Sequence, residues 1–279
     1  MKKKWIFRWS VRLAIILWVL WGNFVPIATR ITVTDPDIPS GFDGFRIVQV
    51  SDLHNAEFGK DHARLLSLIQ KAEPDIIAIT GDLVDSYHTD VEVSMAFIAQ
   101  VVTIAPCYYV TGNHEGSLSQ YKDMKRELEA YGVTVLENRK ITLERNGSQI
   151  NLLGIDDPYV CNDGIIGEAS AVAAARLQAL EIDQSHFNIL LSHRPDMADA
   201  YNASGVDLVL SGHVHGGQFC VPFLGGLYAP GQGFFPEYDG GVYDLGQTTM
   251  IVSRGIGNSN FPVRLNNNPE ILVITLKSE

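Results

Sequence analysis

The sequence predicts an α/β fold with parallel strands whose carboxyl ends build a common site, and three observations predict it. Residues 45–50, 76–80, 108–111, 187–191 and 208–210 are nearly continuous apolar runs, the pattern of strands covered on both faces of a sheet. Helix-compatible segments at 62–71, 91–103, 118–131 and 169–180 separate them. A β-α-β-α-β order implies parallel strands joined by right-handed crossovers. Finally, each run ends in a short polar cluster: Asp52-Leu53-His54, Gly81-Asp82, Gly112-Asn113-His114-Glu115, Ser192-His193 and Gly212-His213-Val214-His215. Residues just beyond the carboxyl ends of such strands converge in one crevice, however far apart they lie in sequence.

At the N-terminus, Lys2, Lys3, Lys4, Arg8 and Arg12 precede an apolar run from 13 to 27, interrupted by Gly22, Asn23 and Pro26. With Val11, and with Trp5, Trp9, Trp18 and Trp21 as interfacial anchors, it approaches the roughly 17-residue lower limit of a membrane span. Residues 1–30 are expected to be an uncleaved anchor. A signal peptide is the alternative, but cleavage after Ala28 would place Pro26 where a small residue belongs. The basic flank predicts a cytoplasmic N-terminus, with the bulk of the chain on the other side.

Residues 31–44 hold Pro36, Pro39 and two glycines and read as an extended linker. Residues 45–279 read as one domain, since no linker or repeat divides them. Within it, 141–153 reads as a hairpin through Asn146-Gly147, a type I′ turn pair. Asp156-Asp157-Pro158 reads as a solvated turn, with reach into the crevice as the alternative. Residues 216–241 contain eight glycines, three prolines and the aromatics Phe219, Phe223, Tyr228, Phe234, Phe235 and Tyr238. This stretch reads as an irregular loop whose aromatics pack on a sheet. Its alternative is an apolar wall for a ligand or a bilayer.

The clusters carry the chemistry. Of eight histidines, five fall in them; His62, His88 and His186 have polar sequence neighbours and read as surface groups. A single histidine after a strand reads as a hydrogen-bonded structural residue. An Asp-x-His and a His-x-His whose i and i+2 members share a side, joined by a second aspartate and an asparagine, read as a two-metal centre.

These motifs resemble those of the calcineurin-like metallophosphoesterase superfamily, in its bacterial membrane-associated branch. The pattern runs D-x-H, G-D, G-N-H-[DE], H and G-H-x-H, and every element is present in order between positions 45 and 276. The resemblance implies a four-layer α/β/β/α sandwich of two mixed sheets with a dinuclear site. It implies that Asp52, His54, Asp82 and His215 hold one divalent ion, of manganese, iron or zinc. Asp82, Asn113, His193 and His213 would hold a second, with Asp82 bridging through its two oxygens. Two ions against two carboxylates leave a formal surplus of about two positive charges, which attracts phosphate, and would activate a water for in-line attack. His114 matches the superfamily's non-ligand histidine, which protonates the leaving oxygen or stabilises its charge, and Glu115 would orient it.

One departure redirects the expected substrate. Protein phosphatases of this superfamily grip phosphate with two arginines, and those positions here are Ser86 and Thr111. Replacement cations would be Arg194, Arg254 or Arg264, each with a structural role as the alternative reading. Residues 1–12 carry five bases and no acids, so the remainder has 16 basic against 32 acidic side chains, a formal −16. So acidic a domain repels polynucleotides, and no nucleic-acid partner is expected. Cys107, Cys161 and Cys220 lack zinc-ribbon spacing and imply no disulfide framework. Cys107 reads as core packing. The expected activity is hydrolysis of a phosphodiester or diphosphate with a lipid-linked or small organic arm. The alternatives are an extracytoplasmic phosphomonoesterase and a silent metal-site scaffold that binds other proteins.

Overall fold

The computed structural model describes residues 2–160, 163–258 and 261–279. The helices are α1 (Lys2–Phe24), α2 (Ala63–Ala72), α3 (Val91–Val101), α4 (Asn113–Gly116), α5 (Tyr121–Ala130), α6 (Ala169–Ala179) and α7 (Ala198–Ser204). The first strands are β1 (Ile27–Asp35), β2 (Arg46–Val50), β3 (Ile76–Thr80), β4 (Cys107–Val110) and β5 (Thr134–Val135). Then come β6 (Arg139–Arg145), β7 (Ser148–Gly154), β8 (Asn188–Leu191) and β9 (Leu208–Ser211). Two short ribbons follow, β10 (Cys220–Val221) with β11 (Gly225–Gly226) and β12 (Tyr228–Ala229) with β13 (Gly233–Phe234). The chain closes with β14 (Gly241–Asp244), β15 (Thr249–Val252) and β16 (Glu270–Ser278).

Among the described residues the strands form two six-stranded mixed sheets, ordered β1-β16-β2-β3-β4-β5 and β14-β15-β9-β8-β7-β6. The continuous apolar runs are explained by three cores on the two faces of each sheet. Alternate residues of one strand go to different cores: Ile47 and Ile76 face the second sheet, whereas Val48 and Ile77 face α2, α3 and α5. In the other sheet Ile189 and Leu208 face inward, and Leu190 and Val209 face α6 and α7. The result is the α/β/β/α sandwich. Gln49, buried between the sheets, ties them through its NH2, which donates to Thr80 Oγ1 at 2.9 Å and to Ser211 O at 2.8 Å, bonds that offset the cost of burying those donors.

The hairpin forms as expected: β6 and β7 pair antiparallel, and Asn146 and Gly147 both take positive φ, 51° and 75°. Residues 31–44 differ from expectation. Ile27–Asp35 is an edge strand paired parallel to β16, so the proposed linker begins inside the first sheet, and only the stretch after Asp35 is a connection. His62 also differs from its surface reading: it is buried, with Nε2 donating to Val93 O at 3.0 Å and its ring against Phe97, where α2 packs on α3. Cys107 is buried in β4 as a free thiol and Cys220 is a half-buried one; Cys161 lies outside the described residues. In α1, Lys4–Phe24 is long and apolar enough to cross a membrane.

Candidate metal centre

The clusters do converge, and they do so on strained turns. Asp52, His54, Asp82, His213 and His215 all adopt φ between 47° and 72°, a left-handed conformation rare outside glycine that collects at functional sites. Backbone bonds from loop to loop hold them there. Asp52 N donates to Gly81 O at 3.1 Å and His54 N to Asp82 O at 3.0 Å, lacing the turn after β2 to the turn after β3. The carboxylates add two more ties: His213 N donates to Asp52 at 3.0 Å, and His114 N donates to Asp82 Oδ1 at 2.9 Å.

Among the described residues three triads of ligand atoms result, Asp52-His54-His215, Asp82-His193-His213 and, overlapping both, His54-Asp82-His114, each with its atoms within 4.8 Å of one another and every residue buried. Asp82 Oδ2 lies between the first two, 3.6 Å from His54 Nε2 and 3.1 Å from His193 Nε2. Asn113 Oδ1 is 3.2 Å from His193 Nε2, as is His213 Nδ1. The tautomer of His193 follows from its other nitrogen: Nδ1 is 2.8 Å from Thr80 O. A carbonyl can only accept, so Nδ1 carries a proton, and Nε2 is the nitrogen that presents a lone pair to the cluster when the ring is neutral. Imidazole nitrogens and carboxylate oxygens thus face each other at close distance. That donor set fits divalent cations.

Burial and neighbouring charge oppose each other throughout the cluster. Burial alone would lower the His193 pKa, yet Asp82 and Asp52 overcome it and raise it to about 10. Burial dominates at His215, helped by the His54 and Arg264 charges, and pushes it down to about 3 despite Asp52. Burial would raise Asp82, but His193, His54 and His114 hold its carboxyl well below the usual range.

The surrounding residues divide differently from expectation. Glu115 does not touch His114. Its buried carboxylate accepts from Asp82 N at 2.9 Å, Gly112 N at 2.7 Å and Val84 N at 3.3 Å, stapling the turn after β3 to the turn after β4. His114 is oriented by Ser86 instead, whose N donates to Nδ1 at 2.9 Å. Thr111 donates to Asp156 and accepts from Asp157 N, so neither residue at the arginine positions is aimed at a phosphate. Asp156 and Asp157 are buried, not a solvated turn. Asp157 holds Arg194 at 2.6 Å, and Arg176 donates to both backbone carbonyls. The available signal was position, since they follow β7 as the other clusters follow their strands.

The pocket over the centre has a volume of about 230 Å³. Asp82, Asn113, His114, His213 and His215 contribute to its lining, with Tyr87, Tyr159, Arg194, Pro230 and Gly231 completing it. Arg194 alone of the three candidate arginines reaches it, stacked 4.6 Å over Tyr159 and 3.5 Å from His213 Nε2. Arg254 is paired with Glu270, and buried Arg264 donates to Gly257 O, Arg254 O and His215 Nδ1. Phe234 and Phe235 point to solvent and do not line the pocket.

The model of the calcineurin-like phosphoesterase family matches residues 45–217, which contain every one of these turns. The chain belongs to that family. It is 36% identical over 90% of its length to the uncharacterized metallophosphoesterase YkuE of Bacillus subtilis, covering 85% of that protein. It is 28% identical over 83% of its length to the phosphodiesterase YaeI of Escherichia coli, covering 82% of it. Among solved structures, TT1561 of Thermus thermophilus superimposes with a TM-score of 0.52 at 16% identity, over 77% of this chain and 92% of that one; this likeness concerns the fold alone. Family and clustered ligands together make the chain a metal-dependent phosphoester hydrolase.

Tightness around the ligands gives a first expected outcome. A Cβ on Gly112 would lie 2.2 Å from Asp82 Oδ1 and 2.6 Å from Asp82 N. Gly112→Ala must displace Asp82, costing about 1–3 kcal/mol as overpacking does, or roughly 2–4 °C of Tm per kcal/mol. Calorimetry together with metal analysis checks it. Unchanged Tm and metal content would show that the turn has room.

Proposed function

We propose that this protein is a membrane-anchored, two-metal hydrolase of phosphodiesters or diphosphates that carry an apolar arm. The observation that carries this reading is the pocket lining. Among the described residues Arg194 is its one fixed cation, already paired with Asp157, while Tyr87, Tyr159 and Pro230 offer apolar surface around it. A monoester brings two negative charges and depends on cationic grips; a diester brings one, and its second arm can rest on an apolar rim.

In this reading Asp52, His54, Asp82 and His215 hold one divalent ion, and Asp82, Asn113, His193 and His213 hold the other. Such ions, when bound, polarise phosphoryl oxygens and ready water for in-line attack. Everything else is done by side chains. Asp82 joins the two positions through the oxygen that faces both His54 and His193. His114 acts through its free nitrogen. Because the Ser86 N–H occupies Nδ1, the ring is held neutral with its proton on Nε2, and burial lowers its pKa further. It therefore donates a hydrogen bond to the oxygen on which charge develops, without becoming an imidazolate, and this supports charge stabilisation over full proton transfer. Tyr87, its ring 5.6 Å from His114, forms the near rim for the leaving arm.

Support for the anchor is α1 with its basic flank, and that flank supports an extracytoplasmic catalytic domain. The test of substrate class compares kcat/KM for bis-p-nitrophenyl phosphate and p-nitrophenyl phosphate at one metal loading. The diester is expected to be preferred, and Tyr87→Ala to erode that preference by about 1–3 kcal/mol. A monoester preference unaffected by Tyr87→Ala would overturn this reading and favour the phosphomonoesterase.

A further inference from the structure

The end of α1 is built into the domain beside the metal centre. Asn23, in the last turn, accepts from Arg264 N at 2.7 Å and donates to Arg264 O at 2.9 Å. Asn268 donates to the carbonyls of Trp21 and Val25 at 3.4 Å. The segment tied to the helix in this way is bonded on its other side to the β10–β11 hairpin. Cys220 N donates to Leu265 O at 2.9 Å, and the Phe219 ring lies 6.0 Å from Phe261. Helix exit, segment 261–265 and hairpin are thus one continuous surface, and the hairpin begins five residues after His215.

That surface has an unusual composition. Residues 216–236 contain no charged side chain, in a chain that is 19% charged with a net charge of −11. Phe223 at the hairpin tip is fully exposed, at 106%, and Leu224 beside it at 67%. Phe261, Val263 and Leu265 are exposed next to them. The tip is a β-turn closed by Leu224 N donating to Val221 O at 3.0 Å, with Pro222 second and Phe223, at φ 69°, third. Turns of this form reserve the third position for glycine or asparagine. An exposed phenyl on a left-handed residue gains nothing in water, whereas at a lipid interface the same ring is buried.

We propose that the β10–β11 hairpin is a second membrane contact, inserting Phe223 and Leu224 into the bilayer that α1 spans and holding the pocket at the lipid surface. The proposal rests on the anchored reading of α1. Continuity with that helix names the occupant. So does charge, because the acidic remainder of the domain is repelled by anionic lipid and the uncharged belt is not.

The test uses the full chain reconstituted in phosphatidylcholine vesicles doped with a phosphatidylcholine bearing a diazirine in its acyl chain. Labelled peptides are mapped after irradiation. Label is expected on α1 and on the peptide holding Phe223 and Leu224, and not on the peptide holding Val242, another exposed apolar residue, in β14. Phe223→Ser with Leu224→Ser should abolish the hairpin label while leaving the α1 label, metal content and bis-p-nitrophenyl phosphate turnover unchanged. Label on α1 alone, or label shared equally with the Val242 peptide, would overturn the second contact and leave the anchor standing. Label on neither would overturn the anchor and the hairpin contact together.

Discussion

In the proposed two-metal centre, Asp82→Asn is expected to empty both metal positions at once, in contrast to a substitution at a ligand that serves a single position. The reason is geometric: Asp82 Oδ2 faces His54 Nε2 and His193 Nε2 together. An amide can still accept from His114 N through its oxygen, as Oδ1 does now at 2.9 Å. Its NH2 would then occupy the place between the two positions, where a donor cannot bind a cation. Turnover should fall at least about 10³-fold, since bound ions contribute several kcal/mol and each 1.36 kcal/mol is tenfold. Metal analysis of the purified variant decides the point. Two ions per chain in the variant would remove Asp82 from the bridge, and one would confine it to a single position.

His114→Ala should retain both ions and lose turnover by roughly 10²- to 10³-fold, the range for removing one positioned donor. Its side chain accepts from Ser86 and its backbone donates to Asp82, so alanine keeps the backbone tie and loses the ring. A fall in kcat at unchanged metal content is the expected signature. Unchanged turnover would exclude the residue from the reaction, and loss of metal would recast it as a ligand, a role its distance from His54 and Asp82 would permit.

The covered strands and the converging turns were legible because two independent patterns agreed, whereas the two-sheet sandwich was implied by the family resemblance. Strands such as Ile76–Thr80 are apolar at every position since both faces are covered, and each such strand ends in a ligand cluster. Legibility failed where partners are distant in sequence. Ile31-Thr32-Val33-Thr34 does alternate as a half-buried strand should, but the prolines and glycines after it outweighed that signal, and its partner β16 lies some 240 positions away. Glu115 was assigned to its neighbour His114, although a carboxylate at the third position of a helix turns back toward the free N–H groups at the start of that helix. Asp157 carries no motif of its own, and only Arg194 against it shows why it is buried. Asn23 was counted as an interruption of an apolar run, whereas it fastens the helix end to Arg264.

The place of β16 in its sheet sets the order in which the protein can come into being. It lies between β1 and β2, pairing parallel with one and antiparallel with the other. While the chain is being made, β1 beside the helix has no neighbour, and β2, which delivers Asp52 and His54, lacks one flank. Local helices and the crossovers around β3 and β4 can form early, but this sheet joins only when residues 270–278 arrive. In the proposed metalloenzyme the turn carrying Asp52 and His54 is therefore expected to settle late, after any translocation step that handles an unfolded chain. A chain shortened by those nine residues would keep every ligand residue, yet β1 would lose its partner and β2 one of its two.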